Sequence, residues 1–129
     1  MTGDALGKLY VWVLAAYFTL AGLWSVLDVD SKLAGIGLRA ETDDGRIAFI
    51  LIYCSLMVGI GIAMGVVYVA SRVWLYSALI AITVVSAFIV FRIVGALMVG
   101  HMSKAQTTFI VIEVMEVLLG VLFILRRAR

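Results

Sequence analysis

Three ionisable residues, Arg92, Glu113 and Glu116, lie in stretches of sequence that are otherwise strongly apolar. A charge in a hydrocarbon environment is costly, so such a residue is usually paired with an opposite charge or retained for a function. Glu113 and Glu116 are three positions apart and would share one face of a helix. We therefore predict a buried centre formed by these three residues, either a structural ion pair or a ligand-binding site.

Three interpretations of this centre are open. In the first, Arg92 forms a structural ion pair that locks two helices together. In the second, Arg92 pairs with one glutamate, and the other binds a proton, a cation or a small polar ligand, since two neighbouring carboxylates in a low dielectric favour retention of a proton. In the third, the ion pair joins two subunits of an oligomer.

Other residue types that carry chemistry are sparse. His101, the single histidine, is predicted to be a polar turn residue, because a role as a haem ligand would need a second axial ligand. The single cysteine, Cys54, excludes an intramolecular disulfide and a cysteine-based zinc site. The sequence contains no Ser–His–Asp set, phosphate-binding glycine loop or HExxH motif. We predict no catalytic residues, no metal site and no cofactor, and favour a non-enzymatic protein.

The composition indicates a membrane protein. Of the 129 residues, 65% are hydrophobic and 14% are charged, and the mean hydropathy is +1.20. Soluble domains have about 45–50% apolar and about 25% charged residues. A soluble monomer and a disordered chain are therefore excluded. The net charge of +2 is small and scattered, which excludes a nucleic-acid-binding protein.

Four apolar stretches are long enough to cross a bilayer, which takes about 20 residues. They do not alternate between polar and apolar residues, so a β-barrel is excluded. The predicted helices, within a single domain of residues 1–129, cover about 8–28, 46–70, 73–99 and 106–126. The short connections on either side of the third helix place consecutive helices side by side and antiparallel. The expected fold is an all-α integral membrane bundle of four antiparallel transmembrane helices.

Depth along the last two helices links the ionisable residues. Arg92 precedes the turn at Gly100 by roughly 12 Å, at a rise of 1.5 Å per residue. Glu113 and Glu116 follow Thr107 by roughly 9 and 13 Å at the same rise. Arg92 can therefore meet either carboxylate.

Polar residues in the middle helices suggest a small cavity near this centre. Tyr53 and Ser55 in the second helix and Ser86 in the third would line it together with Arg92, although such hydroxyls often bond to their own helix. Gly61 and Gly65 form a small-xxx-small pattern that permits close helix packing, either inside the chain or between two copies.

The long polar connection, residues 28–46, contains its own structural signals. Its middle, residues 32–38, is predicted to form a short interfacial helix. Thr42 or Asp43 would cap the second long helix by accepting a hydrogen bond from a free amide.

The basic residues indicate an orientation. Residues 126–129 contain three arginines, and positively charged segments favour the cytoplasmic face. We predict a multi-pass protein of the inner (plasma) membrane with both termini in the cytoplasm. Its expected partners are the lipid bilayer and either further copies of itself or another membrane protein, and not nucleic acid.

Three segments, residues 53–61, 91–100 and 112–120, resemble a family of small bacterial four-helix membrane proteins, the domain of unknown function 4345 family. The resemblance extends over the layout of the whole chain. It implies a fold similar to that of small DoxX-type membrane proteins and no particular activity. It also singles out Arg92 and Glu113 as a pair.

The sequence thus favours a non-enzymatic integral membrane protein, an accessory subunit or small-ligand binder, centred on the Arg–Glu cluster. The alternative is a homo-oligomeric small transporter or channel that uses Glu113 and Glu116 to handle protons or cations. A haem or quinone protein using His101 is a third hypothesis.

Overall fold

Long apolar runs without proline favour helices, because a helix satisfies every backbone hydrogen bond within one segment. The computed structural model describes residues 3–127, and in that range it contains helices and no strand. A π-helical turn, Ile50–Cys54, lies within one continuous helix, Asp43–Ser71. The α-helices are α1 (Gly3–Leu27), α2 (Val29–Gly35), α3 (Asp43–Phe49), α4 (Ser55–Ser71), α5 (Trp74–Val99) and α6 (Lys104–Arg127).

Four of these helices are long and apolar enough to cross a membrane: α1, the continuous helix Asp43–Ser71, α5 and α6. Many of their large apolar side chains are exposed on the outside of the bundle. A surface of this kind is typical of a protein surrounded by lipid. The predicted all-α bundle with four membrane-length helices is confirmed, and the chain has the architecture of a small multi-pass membrane protein.

The main core lies between α1, α4 and α5. Buried residues recur on α1 at the spacing of one helix face, from Tyr10 through Leu14 to Phe18. They pack against Met64 of α4 and against buried residues in the first half of α5, which begin at Trp74. Beyond Val85, α5 has only partly buried side chains in contact with this core.

Polar and aromatic contacts join the helices where α1 and α5 begin and α6 ends. The indole nitrogen of Trp74 donates a hydrogen bond to Asp4 Oδ1 at 2.7 Å, and the guanidinium of Arg127 lies 5.7 Å from the Trp74 ring. Asp4 also forms an ion pair with Lys8 at 2.6 Å, one helical turn away. This pair lies inside α1, which begins at Gly3 and not near residue 8 as expected.

At the opposite end, the connection between α1 and α4 folds over the bundle. Arg46 of α3 forms ion pairs with Asp30 of α2 at 3.0 Å and with Asp43 at 2.9 Å. Leu33 of α2 is buried in a second, smaller core that contains Phe49 and Cys54. Thr42 Oγ1 accepts a hydrogen bond from the amide of Gly45 at 3.2 Å, so its predicted capping role is confirmed. The predicted short helix is α2, which begins earlier than expected.

Candidate functional site

Arg92 of α5 and Glu113 of α6 form a two-pronged ion pair. Arg92 Nη2 lies 2.6 Å from Glu113 Oε1, and Arg92 Nε lies 3.2 Å from Glu113 Oε2. The two side chains are only 20% and 11% exposed. A planar guanidinium that donates to both carboxylate oxygens makes a strong and directional contact. The pair therefore fixes to α6 the part of α5 that follows its last buried core residue, Val85.

A glutamine extends this ion pair to the connecting segment. Arg92 Nη1 donates a hydrogen bond to Gln106 Oε1, and Gln106 Nε2 donates to the backbone carbonyl of Ile36 at 3.2 Å. The guanidinium also lies 5.2 Å from the ring centre of Phe109, within the range of a cation–π contact. Three parts of the chain, α5, α6 and the segment after α2, are thus linked through one arginine.

Replacing Gln106 with leucine is expected to loosen the segment after α2 and to leave the ion pair in place. A net loss of about 1 kcal/mol for one hydrogen bond corresponds to roughly fivefold faster amide exchange where exchange proceeds by local opening. Hydrogen–deuterium exchange of a peptide covering residues 36–40 would measure it. Thr108→Val is the matched control, because the Thr108 hydroxyl bonds only to Lys104 of its own helix. Equal exchange in the two variants would contradict the proposed link.

A cavity of about 590 Å³ adjoins the ion pair. It is bounded by α1, the π-helical turn, α4, α5 and α6, and by the connecting segment. Its aromatic lining residues are Tyr17, Phe18, Tyr53, Phe88, Phe91 and Phe109, and its polar ones other than tyrosine are Arg92, His101, Ser103, Gln106, Glu113 and Glu116. The remaining lining residues are aliphatic side chains, methionines and small residues. The cavity is thus mainly apolar, with its charged groups on α5 and α6.

Glu116 lines the same cavity and differs from Glu113 in its contacts. Within residues 3–127, the Glu116 carboxylate forms no ion pair or hydrogen bond with another residue. Its backbone carbonyl accepts a hydrogen bond from the Tyr10 hydroxyl at 3.0 Å, which fixes this turn of α6 against α1. The cavity therefore contains one carboxylate neutralised by an arginine and one without a cationic partner.

Of the three other residues predicted to line the cavity, Tyr53 lines it and the two serines do not. Tyr53 lines the cavity and stacks on Phe49, with ring centres 5.3 Å apart. Among the described residues, neither Ser55 nor Ser86 belongs to the lining. The Ser55 hydroxyl is exposed and donates to the carbonyl of Leu51, one turn earlier in its own helix. A helical serine or threonine commonly satisfies its hydroxyl in this way.

Several lining residues were not singled out from the sequence, and one signal would have found two of them. Gln106, Phe109, Glu113 and Glu116 recur at intervals of three and four, and therefore lie on one face of α6. Tyr17 gave no such signal, because α1 is apolar on all sides in this region. The π-helical turn that contains Tyr53 was not predicted either, although such turns often occur at functional sites.

Within residues 3–127, no three His, Cys, Asp or Glu side chains gather into a group that could hold a metal ion. His101 is exposed and lies at the edge of the cavity, beside the turn that ends α5. The arrangement can orient a small molecule between an apolar wall and a few polar groups. No protein-family model, curated protein or solved structure matches this chain.

Proposed function

We propose that this chain is a small integral membrane protein that binds a small, mainly apolar ligand in the cavity beside Arg92, without catalysing a reaction. The observation that carries the proposal is the cavity itself. Its volume of about 590 Å³ falls in the range of small-molecule sites, and its mostly apolar lining with a few convergent polar groups is typical of them.

The position of the cavity favours a ligand that arrives from the bilayer. Ile52, Phe91 and Val99 line the cavity and are also 66%, 75% and 76% exposed on the surface of the bundle. They lie in helices of membrane-spanning length. The cavity therefore opens sideways, toward the acyl chains, and a ligand that partitions into lipid has direct access to it.

The ion pair supports the site by holding its walls. Arg92 and Glu113 fix α5 to α6 beside the cavity, beyond Val85, the last α5 residue that is buried in the main core. An internal charge pair costs desolvation energy that well-packed apolar residues do not. We therefore assign the Arg92–Glu113 pair a second role, which is to position the cavity walls as well as to join α5 and α6.

A cavity-filling substitution tests this proposal. A side chain added at Gly95 would meet no atom within 4 Å at its Cβ position, and Gly95 lines the cavity. Gly95→Phe is expected to fill the cavity and to weaken binding of a neutral probe, 1-naphthylmethanol, by at least about tenfold. Binding would be followed in a non-ionic detergent by the saturable change of the Ile52 and Ile112 methyl NMR signals.

Gly59→Phe is the matched control. Its Cβ position is equally open, and Gly59 lies in an apolar helix outside the cavity lining. This variant is expected to bind the probe as the native chain does. Equal binding of the alcohol by both phenylalanine variants would overturn the proposal. So would a native chain that binds saturably neither the alcohol nor its ammonium and carboxylate analogues.

We also propose an orientation in the inner (plasma) membrane. The start of α1 lies against the end of α6, since a Cβ atom at Gly3 would lie 3.3 Å from the Arg126 carbonyl oxygen. Arg127 contacts Trp74 at the same end, and Arg72 lies just before Trp74 in the sequence. Basic residues gathered in this way favour a cytoplasmic position for that end. Ala128 and Arg129, which contributed to the predicted basic end, lie outside the described residues.

A second candidate function is a homo-oligomeric transporter of protons or cations. The observation that favours it is the Glu116 carboxylate, which has no ion-pair partner among the described residues inside a membrane-length helix. In proteoliposomes, a proton or cation flux that is lost in Glu116→Gln and retained in Glu41→Gln would support this candidate. Absence of flux from the native chain would exclude it.

A further inference from the structure

We infer that the ligand of this cavity is a lipophilic monocation, whose positive group contacts the Glu116 carboxylate and the surrounding aromatic rings. The inference rests on the proposed function, because it assigns a chemical class to the ligand of the same site. Its three supports are the charge balance of the cavity, the aromatic lining and the occupied hydrogen-bonding groups of Arg92.

The charge balance of the lining favours a cation. Arg92 carries one positive charge and Glu113 one negative charge, and their direct contact at 2.6 Å cancels them locally. The lining contains one more acid, Glu116, and one histidine, His101, which is exposed at the edge. Glu116 is half-buried beside apolar side chains, where a carboxylate gains most from a charged partner. A single positive charge on the ligand would provide that partner.

The aromatic lining supports the same class of ligand. The face of an aromatic ring is electron-rich and attracts a cation placed over it. Phe109 is already engaged by Arg92. Tyr17, Tyr53, Phe88 and Phe91 also line the cavity and have no cationic partner among the described residues. Together with the aliphatic residues, these rings suit the hydrocarbon part of the ligand as well as its charge.

Arg92 disfavours the opposite class, a lipophilic anion. Its Nε and Nη2 atoms donate to Glu113, and its Nη1 atom donates to Gln106. A ring lies over the guanidinium at 5.2 Å. Two of its five N–H groups remain, but an anionic ligand bound there would lie beside the Glu113 and Glu116 carboxylates, which is unfavourable in a low dielectric. Glu116, in contrast, receives a cation without the loss of any existing contact.

Three probes with the same ring system test the inference: 1-naphthylmethylammonium, 1-naphthylmethanol and 1-naphthoate. They carry a positive, a neutral and a negative polar group. The native chain is expected to bind the cation about tenfold more tightly than the alcohol, a difference in the range of desolvated cation–π and charge-assisted contacts. The naphthoate is expected to bind most weakly. The NMR titration described for the alcohol measures all three.

Substitutions assign the preference to one carboxylate. Glu116→Gln is expected to bind the cation and the alcohol with similar affinity, because the amide keeps the size of the side chain and removes its charge. Glu116→Asp, which keeps the charge, is expected to retain a preference for the cation. Glu41→Gln is the control, since it removes an exposed carboxylate outside the cavity. Alcohol binding by each variant shows that its cavity is intact.

The outcomes separate the two proposals. If the native chain binds the alcohol or the naphthoate at least as tightly as the cation, the ligand class is wrong and the binding site stands. If Glu116→Gln keeps the full preference for the cation, the inferred contact with the Glu116 carboxylate is wrong and the binding site stands. If none of the three probes binds saturably, the proposed function itself is overturned. The comparison among probes on the native chain gives this answer even if the Glu116→Gln variant does not fold.

Discussion

Replacing Arg92 with methionine is expected to lower the free energy of unfolding by about 3 kcal/mol. The substitution leaves Glu113 in its buried position without a partner, and removal of one member of a buried ion pair typically costs about 3–5 kcal/mol. It also removes the hydrogen bond to Gln106 and the contact with Phe109. Detergent-induced unfolding, followed by far-ultraviolet circular dichroism with increasing dodecyl sulfate, would measure the loss.

The double variant Arg92→Met with Glu113→Leu is expected to recover most of this stability. Two apolar residues of similar size can replace a buried ion pair at little cost, because neither charge then has to be desolvated. A double variant as unstable as the single one would contradict the interpretation of the pair as a helix-to-helix lock.

Arg46→Met is the matched control for this experiment. Arg46 also makes a two-pronged contact with a carboxylate, that of Asp30, and a further ion pair with Asp43. Its side chain is 45% exposed, however, and exposed ion pairs typically contribute about 0–1 kcal/mol. The same chemical change is therefore expected to have a much smaller effect. Equal losses at Arg46 and Arg92 would show that burial is not what gives the Arg92 pair its strength.

Gly61→Ala is expected to destabilise the bundle by about 2 kcal/mol, through overpacking at a tight helix contact. The added Cβ would lie 2.6 Å from the Ala15 carbonyl oxygen and 2.8 Å from the Thr19 amide nitrogen, both of which belong to the backbone of α1. Backbone atoms cannot rotate away, so α1 and α4 must separate. The same unfolding measurement would give the loss.

Gly59→Ala provides the control for this prediction. A Cβ at Gly59 meets no atom within 4 Å, and alanine favours a helix over glycine by about 1 kcal/mol. This variant is expected to be as stable as the native chain or slightly more so. If both alanine variants behave alike, the close approach at Gly61 contributes nothing. If Gly61→Ala changes only the association of two copies, the glycine serves a dimer interface.

The position of Arg92 relative to the two glutamates could be predicted from helix rise alone. A short turn at Gly100 joins α5 and α6, so residues at equal distances from it must lie at similar depth. This reasoning does not say which carboxylate receives the guanidinium. The rotation of α6 about its axis decides that point, and in the structure Glu113 is the partner and Glu116 remains in the cavity.

The lining of the cavity could not be predicted to the same extent. In a water-soluble protein, polar and apolar faces show which side of a helix is buried. In lipid both sides are apolar, so Val85 and Phe91 of α5 look alike in the sequence. Yet Val85 lines the cavity as a buried core residue, whereas Phe91 lines it and is 75% exposed on the outside of the bundle. The segment after α2 is positioned by the hydrogen bond that Gln106 donates to the backbone carbonyl of Ile36. Every residue has such a carbonyl, so the type of residue gives no indication of this contact.

The contrast between the two ends of the bundle has a mechanical consequence. Trp74 anchors one end of α5, and Arg92 lies roughly 27 Å farther along the same helix at 1.5 Å per residue. A tilt of α5 by one degree about Trp74 would displace Arg92 by about 0.5 Å, and the Arg92–Glu113 ion pair opposes that displacement. We therefore expect the cavity wall formed by α5 to shift relative to α6 when this ion pair is lost, as in Arg92→Met.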